Sequence, residues 1–303
     1  HNSGGKVIFQ VRGKVPRHSM KAREVRIPAA LVDAVVVDAT QRQGYDLVYD
    51  AALSGQDRRD DPEPPQPAFS SRLVIARRAQ QELHDNAVIN FGFGIPDQIA
   101  KLIDRDGHAE RYFQTIEHGT YGGRLMDGDL FGYAMNPSCM IDGPSQFDFY
   151  SGGGLDIAFL GFGEIDAAGN VNVSKLAGNT VGPGGFIDIA QNARKVVFCG
   201  TFDTGGARLE TGDGTLRVTS HGRIPKLVEK VDQITFSGPQ ASVQGQHVIY
   251  VTERAVFELR EDGVHLVEIA PGIDLQADVL DRMGFTPRME SPLSEMNSGL
   301  FKE

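Results

Sequence analysis

The sequence has no tryptophan, only two cysteines among 303 residues, and fewer basic than acidic groups, 30 Lys and Arg against 40 Asp and Glu. Each shortage excludes something. Cys139 and Cys199 stand far apart without metal-ligand spacing, so no disulfide framework is expected. They read as reduced packing residues in a reducing compartment, and the expected location is the cytoplasm. A formal net charge of -10 argues against nucleic acid as the main partner, because phosphate neutralisation needs a basic face. It leaves room for a local positive pocket. No apolar run approaches the roughly 20 residues that cross a bilayer, so no membrane partner is expected. The first residues also lack the apolar segment of a signal peptide. The scattered His residues show no ligand spacing, and no metal is expected.

Glycine, by contrast, is abundant at 36 residues, which predicts many tight turns and close backbone approaches. The 40% hydrophobic and 23% charged content is that of a soluble globular protein, long enough for one large or two ordinary domains. The chain opens at His1, just before the strand pattern Val7 to Val11, which reads as the later part of a longer polypeptide. A second run, Leu31 to Val37, is continuous and β-branched, the pattern of a buried strand. The stretch Ser54 to Pro67 is rich in Pro and charge and reads as an exposed linker. The expected division is therefore 1–53, a linker at 54–69, and 70–303.

Beyond the linker the pattern alternates. Arg72 to Leu83 has helical spacing, Ala87 to Phe91 reads as a strand, and Gly92-Phe93-Gly94-Ile95-Pro96-Asp97 leads to a helix over Gln98 to Ile103. A strand, glycine loop and helix in series aims free backbone N–H groups at an anion. Asp97 replaces the third glycine of a dinucleotide fingerprint, and a purely structural loop fits as well. A second loop of this kind, Gly182 to Asp188, leads into a helix over Ile187 to Asn192. Ile157 to Gly161 and Lys195 to Cys199 read as buried strands, while Asp148 and Asp156 are expected to cap turns around Gly152-Gly153-Gly154. From Thr201 onward the texture becomes hairpins, with helical spacing again over Asp274 to Met283. The predicted class is α/β with an open, mostly parallel sheet and a hairpin-rich C-terminal part.

One carboxylate stands out. In Thr115-Ile116-Glu117-His118-Gly119-Thr120, Glu117 sits between an apolar approach and a glycine-rich exit, as at the end of a strand facing a ligand crevice. Glycine turns let a large substrate approach closely, and Glu117 is the candidate covalent nucleophile. By itself the stretch also fits a surface turn with a solvated Glu.

Taken together, Gly92 to Pro96, Glu117-His118-Gly119, Gln146 to Tyr150 with Gly152 to Asp156, Gly169 to Ser174, Gly184 to Asp188 and Gln191-Asn192-Ala193 resemble, in order and spacing, the family I CoA-transferases. The likeness is strongest to the single-chain acetate/propionate (short-chain acyl) type, in which two related halves are fused. It extends to Asn2 to Val7, Thr252 to Phe257 and Ala270 to Asp274. The resemblance implies that residues 1–53 end the first half and that residues from about 70 onward form the second, with the active site between halves. It places the nucleophile on Glu117, and the CoA and thioester site along Gly92, Phe93, Gly94, Ile95 and Pro96. Asn170, Gly184 and Gly185 would surround the reacting carbonyl. Coenzyme A is then a substrate with no permanently bound cofactor, and the partners are an acyl-CoA, a short-chain carboxylate, the missing first half and further copies of the chain. His118 departs from the small or polar residue common in relatives, and a bulkier neighbour there would narrow the acyl pocket.

The implied chemistry exchanges one thioester for another, so the intermediate must stay attached and away from water. Glu117 would attack the acyl-CoA carbonyl and then carry CoA as a glutamyl thioester, in ping-pong order. Backbone N–H groups of Gly92 to Ile95 and Gly184-Gly185, with the Asn170 amide, would be the donors for the oxygen that turns negative. Other readings are an acyl-CoA hydrolase on the same scaffold, a 3-oxoacid CoA-transferase, and a CoA-binding or assembly module inactive without its first half.

Overall fold

A computed structural model describes residues 1–60 and 66–303; the expected linker residues 61–65 lie outside the described residues. The chain divides into two compact units, His1–Ala51 and Ala52–Glu303.

In the first unit Ile8–Val11 pairs in parallel with Ala34–Val37. The sequence pattern predicts a buried strand here, and the structure corrects it: all four residues of Ala34–Val37 are exposed. Among the described residues of this unit, the two-stranded ladder has no second layer to cover its β-branched faces.

The second unit opens with Ala52 and Leu53 buried. The Asn136 amide N–H donates to the Ala52 carbonyl at 3.0 Å, and the Asn136 side chain donates to the Arg59 carbonyl at 2.9 Å. The front of the expected linker is thus stitched to the loop at Asn136.

The unit is built on a 10-stranded sheet. In chain order its strands are β1 (Val88–Phe91), β2 (Phe113–Ile116), β3 (Thr120–Tyr121), β4 (Cys139–Met140), β5 (Ile157–Gly161), β6 (Lys195–Cys199), β7 (His247–Val251), β8 (Ala255–Arg260), β9 (Gly263–Ile269) and β10 (Arg288–Glu295). They lie in the order β10-β9-β8-β7-β6-β5-β1-β2-β3-β4. Strands β7, β6, β5, β1 and β2 run parallel. Antiparallel strands extend both flanks, β3 and β4 beyond β2, and β8 and β9 beyond β7. A separate antiparallel hairpin, Arg208–Gly212 with Thr215–Ser220, completes the hairpin-rich part.

Helices cover both faces. Helices α1 (Ser71–Gln80) and α2 (Ile95–Arg105) share one core with Ile157, Phe159, Val197 and Cys199. On the other face α3 (Gly143–Ser151), α4 (Phe186–Asn192) and α5 (Gly238–Val243) share a core with Ala158, Leu160, Val196 and Phe198. Successive strand residues serve opposite cores, which is why these strands read as unbroken apolar runs.

Helix α2 begins three residues earlier than its apolar spacing predicts, because Asp97 accepts from the Gly94 N–H at 3.1 Å and Pro96 is tolerated in the first turn. Helix α3, with its aromatic and glycine content, gives no helical signal in the sequence; its cap is Asp142, which accepts from Ser145 N–H at 3.0 Å. The expected turn cap Asp148 lies inside this helix. Asp156 accepts instead from the Val88 N–H at 2.9 Å and from Arg194 at 3.1 Å, at the entry to the sheet. The tail contains only short helical turns, Leu275–Val279 and Leu280–Arg282. Among the described residues no helix is long and apolar enough to cross a membrane.

Candidate active site

Parallel strands end together on one edge of the sheet, and side chains just past those ends face a common crevice. Glu117 is the first residue beyond β2, half-buried, in the turn that reverses into β3. The turn closes through the Gly119 N–H on the Ile116 carbonyl at 2.9 Å. Gly119 has φ +110°, and a Cβ there would stand 2.1 Å from the Ile141 carbonyl oxygen. Only glycine both adopts that backbone and leaves that space.

Behind Glu117 lies a polar group inside the sheet. Asn90 of β1 is almost fully buried, and its Nδ2 donates to Glu117 Oε2 at 3.3 Å. The same nitrogen is 3.4 Å from the Tyr150 hydroxyl, and Tyr150 and Thr115 place their hydroxyl oxygens 2.6 Å apart. Tyr150 is fully buried, and burial first, with the Glu117 charge adding to it, pushes its hydroxyl pKa up to about 12. Among the described residues no ion pair includes Glu117.

Glu117 and Asn90 line a cavity of about 550 Å³ together with Gly92 and Phe93 of the first glycine loop and Gly184 and Gly185 of the second. Its remaining walls are mostly apolar, including Phe131, Phe162 and Leu176. Phe93 and Phe131 meet edge to face with centroids 5.2 Å apart. The two loops and the carboxylate, far apart in sequence, are therefore brought together.

The other expected site residues stand elsewhere. The Gly92 N–H is taken by the Phe159 carbonyl at 2.7 Å and the Gly94 N–H by Asp97, so neither is free for a substrate oxygen. Ile95 and Pro96 are buried in the start of α2 and do not line the cavity. Asn170 also lies outside its lining. Its Nδ2 donates to Asp166 Oδ2 at 3.1 Å and its Oδ1 accepts from the Gly238 N–H at 3.1 Å, which commits the amide to a turn. His118 is exposed, with Nε2 3.3 Å from the Thr120 hydroxyl, and is not part of the cavity wall that it was expected to narrow. Among the described residues, the N–H groups of Phe93, Gly184 and Gly185 on the two loops, like those of Glu117 and Phe162, belong to cavity-lining residues and meet no acceptor.

Asn90, Thr115 and Tyr150 were not singled out by sequence reasoning. A signal existed: an Asn inside the run Val88-Ile89-Asn90-Phe91 is a buried polar group that must find a partner. Among the described residues no cluster of His, Cys, Asp or Glu could hold a metal ion.

No family model matches the sequence. The chain is 44% identical over 302 residues to the acetate CoA-transferase YdiF of Escherichia coli O157:H7, spanning 99% of this chain and 57% of that protein. It is 43% identical over 310 residues to the caffeate CoA-transferase of Acetobacterium woodii, spanning 100% of this chain and 59% of that one. This chain belongs to the family I CoA-transferases. A crystal structure of the acyl-CoA transferase YdiF from Escherichia coli O157:H7, described as a thioester complex with CoA, superposes with a TM-score of 0.89 at 43% identity. That match covers 99% of this chain and 56% of the other. The mixed α/β fold with its mostly parallel sheet is that of a CoA-transferase. The chain spans less than three-fifths of the length of these CoA-transferases.

Proposed function

We propose that the polypeptide to which this chain belongs moves coenzyme A between a short-chain acyl-CoA, of the acetate, propionate or butyrate kind, and a free carboxylic acid. Glu117 is the nucleophile. The observation that carries this reading is that its carboxylate shares one cavity with both glycine loops, held by a neutral amide and, among the described residues, by no cation. A carboxylate without a counter-ion keeps its lone pairs available for attack on a thioester carbonyl. The names of the relatives, acetate and caffeate CoA-transferases, support the same class.

Glu117 attacks the thioester carbonyl; the C–S bond breaks, CoA leaves as thiolate, and an acyl-glutamyl anhydride remains. The thiolate then attacks the glutamyl carbonyl, expelling the first carboxylate and leaving CoA on Glu117. An incoming carboxylate reverses the two steps. No proton is consumed, so His118, exposed beside the turn, has no task in it. Each attack places negative charge on a carbonyl oxygen. Of the expected donors, the N–H groups of Phe93, Gly184 and Gly185 remain once Gly92, Gly94 and Asn170 are set aside, and losing one such donor typically costs about 2.7–4 kcal/mol of transition-state stabilisation. The apolar walls at Phe93, Phe131 and Phe162 suit the acyl group. CoA enters as a substrate, with no resident cofactor. The first half of the same polypeptide and self-association are the expected partners, and the chain by itself is expected to be inactive or nearly so.

The test is trapping. The whole protein, incubated with acetyl-CoA and no acceptor, should release at most one equivalent of acetate per site. Hydroxylamine or borohydride should then modify Glu117 and no other carboxylate. Undiminished release of free CoA without an acceptor would favour the hydrolase and sink the transferase.

A further inference from the structure

The hydroxyls behind the nucleophile form a chain whose direction is set at its far end. Thr115 Oγ1 lies 2.8 Å from the Ile89 carbonyl oxygen, an atom that only accepts, so the threonine proton goes there. Thr115 then offers only lone pairs to the Tyr150 hydroxyl 2.6 Å away, which commits the tyrosine proton. What remains on Tyr150 is lone pairs, which face Asn90 Nδ2 at 3.4 Å and the buried Gln146 amide. That nitrogen also has Glu117 Oε2 at 3.3 Å and the Thr115 carbonyl oxygen at 3.5 Å. Every neighbour at this point is an acceptor. Only the NH₂ end of the amide fits, since a flipped amide would set its own oxygen against three others in a buried place.

We infer that Tyr150 is a positioning residue for the transfer reaction: its committed hydroxyl locks the Asn90 amide with the NH₂ toward Glu117 and so aims the carboxylate into the cavity. The inference rests on Glu117 being the nucleophile. A free tyrosine hydroxyl can donate or accept and would tolerate either amide orientation. Thr115 removes that freedom. Burial keeps the Tyr150 hydroxyl protonated, with its pKa up at about 12, so the lock holds across the neutral range. When Glu117 becomes a glutamyl thioester, its carbonyl oxygen can still accept from the same amide, so the lock bears on both halves of the cycle. It touches neither the acyl group nor CoA and leaves their binding alone.

The experiment compares Tyr150→Phe, Thr115→Val and Thr115→Ser in the whole protein, measuring kcat, KM for acetyl-CoA, the burst rate of glutamyl thioester formation and the urea midpoint. Tyr150→Phe and Thr115→Val should lower kcat and the burst rate about tenfold with KM within about twofold, the size expected of a misaimed nucleophile. Thr115→Ser restores the hydroxyl and should return to within about twofold of the parent. A parental burst rate in Tyr150→Phe overturns the inference, as does a Thr115→Ser protein as slow as Thr115→Val. If Tyr150→Phe does not fold, the Thr115 pair decides in the same way. Glu117→Gln is run alongside: turnover persisting in it retires the nucleophile itself, whereas a dead Glu117→Gln with an unimpaired Tyr150→Phe retires only the lock.

Discussion

Two glutamates stand just past the ends of parallel strands, Glu117 after β2 and Glu253 after β7, and their surroundings are opposite. Glu253 is 1% exposed, accepts from the Phe202 N–H at 3.0 Å, and lies 3.2 Å from the guanidinium Nε of Arg254. Arg254 is itself fully buried, pairs with Asp203 at 2.9 Å, and stacks 4.8 Å above the Phe202 ring. Burial raises the Glu253 pKa although the Arg254 charge pulls it down. Glu117 is half open, with one amide donor and, among the described residues, no cation. The following residues decide: Arg254 seals one carboxylate into a charge network, whereas His118-Gly119 turns the chain away and leaves the other facing a cavity. A strand end supplies the position in both cases, and the residue that follows decides whether the carboxylate is paired or left facing a cavity.

The largest effect should separate the two. On the proposed mechanism, Glu117→Gln in the whole protein should lose at least about 10³-fold in turnover with an unchanged urea midpoint, since the amide keeps the shape and loses the nucleophile. Glu253→Gln, at a residue outside the cavity lining, should instead keep turnover within a few-fold and lower stability by about 1–3 kcal/mol through the contacts with Phe202 N–H and Arg254, read from the same midpoint. A folded Glu253→Gln protein as inactive as Glu117→Gln would break the contrast and give Glu253 a part in the chemistry.

Next in size is Arg254→Met. Removing one partner of a buried ion pair leaves uncompensated charge and typically costs about 3–5 kcal/mol. Here Asp203 and Glu253 would both be stranded. Urea unfolding should show the loss; a midpoint within experimental error of the parent would mean that the carboxylates protonate or repack cheaply.

The same contrast explains what the sequence made legible. Strands β5 and β6 were readable because both faces are buried and the runs Ile157 to Gly161 and Lys195 to Cys199 are unbroken. The glycine loops and Glu117 were readable as motifs, and they do share a cavity. Which N–H groups are free was not readable, because that depends on strand register: the Gly92 N–H is spent on Phe159 across the sheet. Asn170 misled for a similar reason, since nothing in a linear motif shows that Asp166 and Gly238 will take both ends of its amide. A lone Asn in the apolar run of β1 signals that some partner must exist, but not that Glu117, Tyr150 and Thr115 supply it from the β2 turn, α3 and β2. Local pattern determines elements; long-range pairing determines which polar groups remain available.

Two glycines at the site sharpen the point with a smaller effect. Gly119→Ala meets both a forbidden backbone, φ +110°, and the Ile141 carbonyl oxygen 2.1 Å away. The strained backbone alone should cost roughly 1–3 kcal/mol, and the displaced turn should lower turnover further than the stability loss explains. Gly184 has φ +55°, and a methyl group added there would meet nothing within 4 Å, so Gly184→Ala should cost only about 1 kcal/mol. Gly119→Ala proving as mild as Gly184→Ala would show that the turn carrying Glu117 can shift without consequence.

The smallest effect concerns a lysine packed behind the cavity wall. Lys226 Nζ lies 4.1 Å from the centroid of Phe162, a ring that lines the cavity, and burial pushes its pKa down to about 8, with Glu253 opposing and Arg72 assisting. A lysine lowered in the folded state and near 10.4 when unfolded binds more protons unfolded between those values, so stability should rise with pH over about 8–10.4. Below about 8 the ammonium is charged in both states, and the cost of burying it is at its fullest. Lys226→Met should flatten that rise by a fraction of one proton, read as urea midpoints across the interval from neutral pH to the unfolded lysine value. Parallel pH profiles for parent and variant would mean that the ring and Glu253 hold the ammonium charged, and Lys226 would then join Arg254 on the sealed side of the sheet edge.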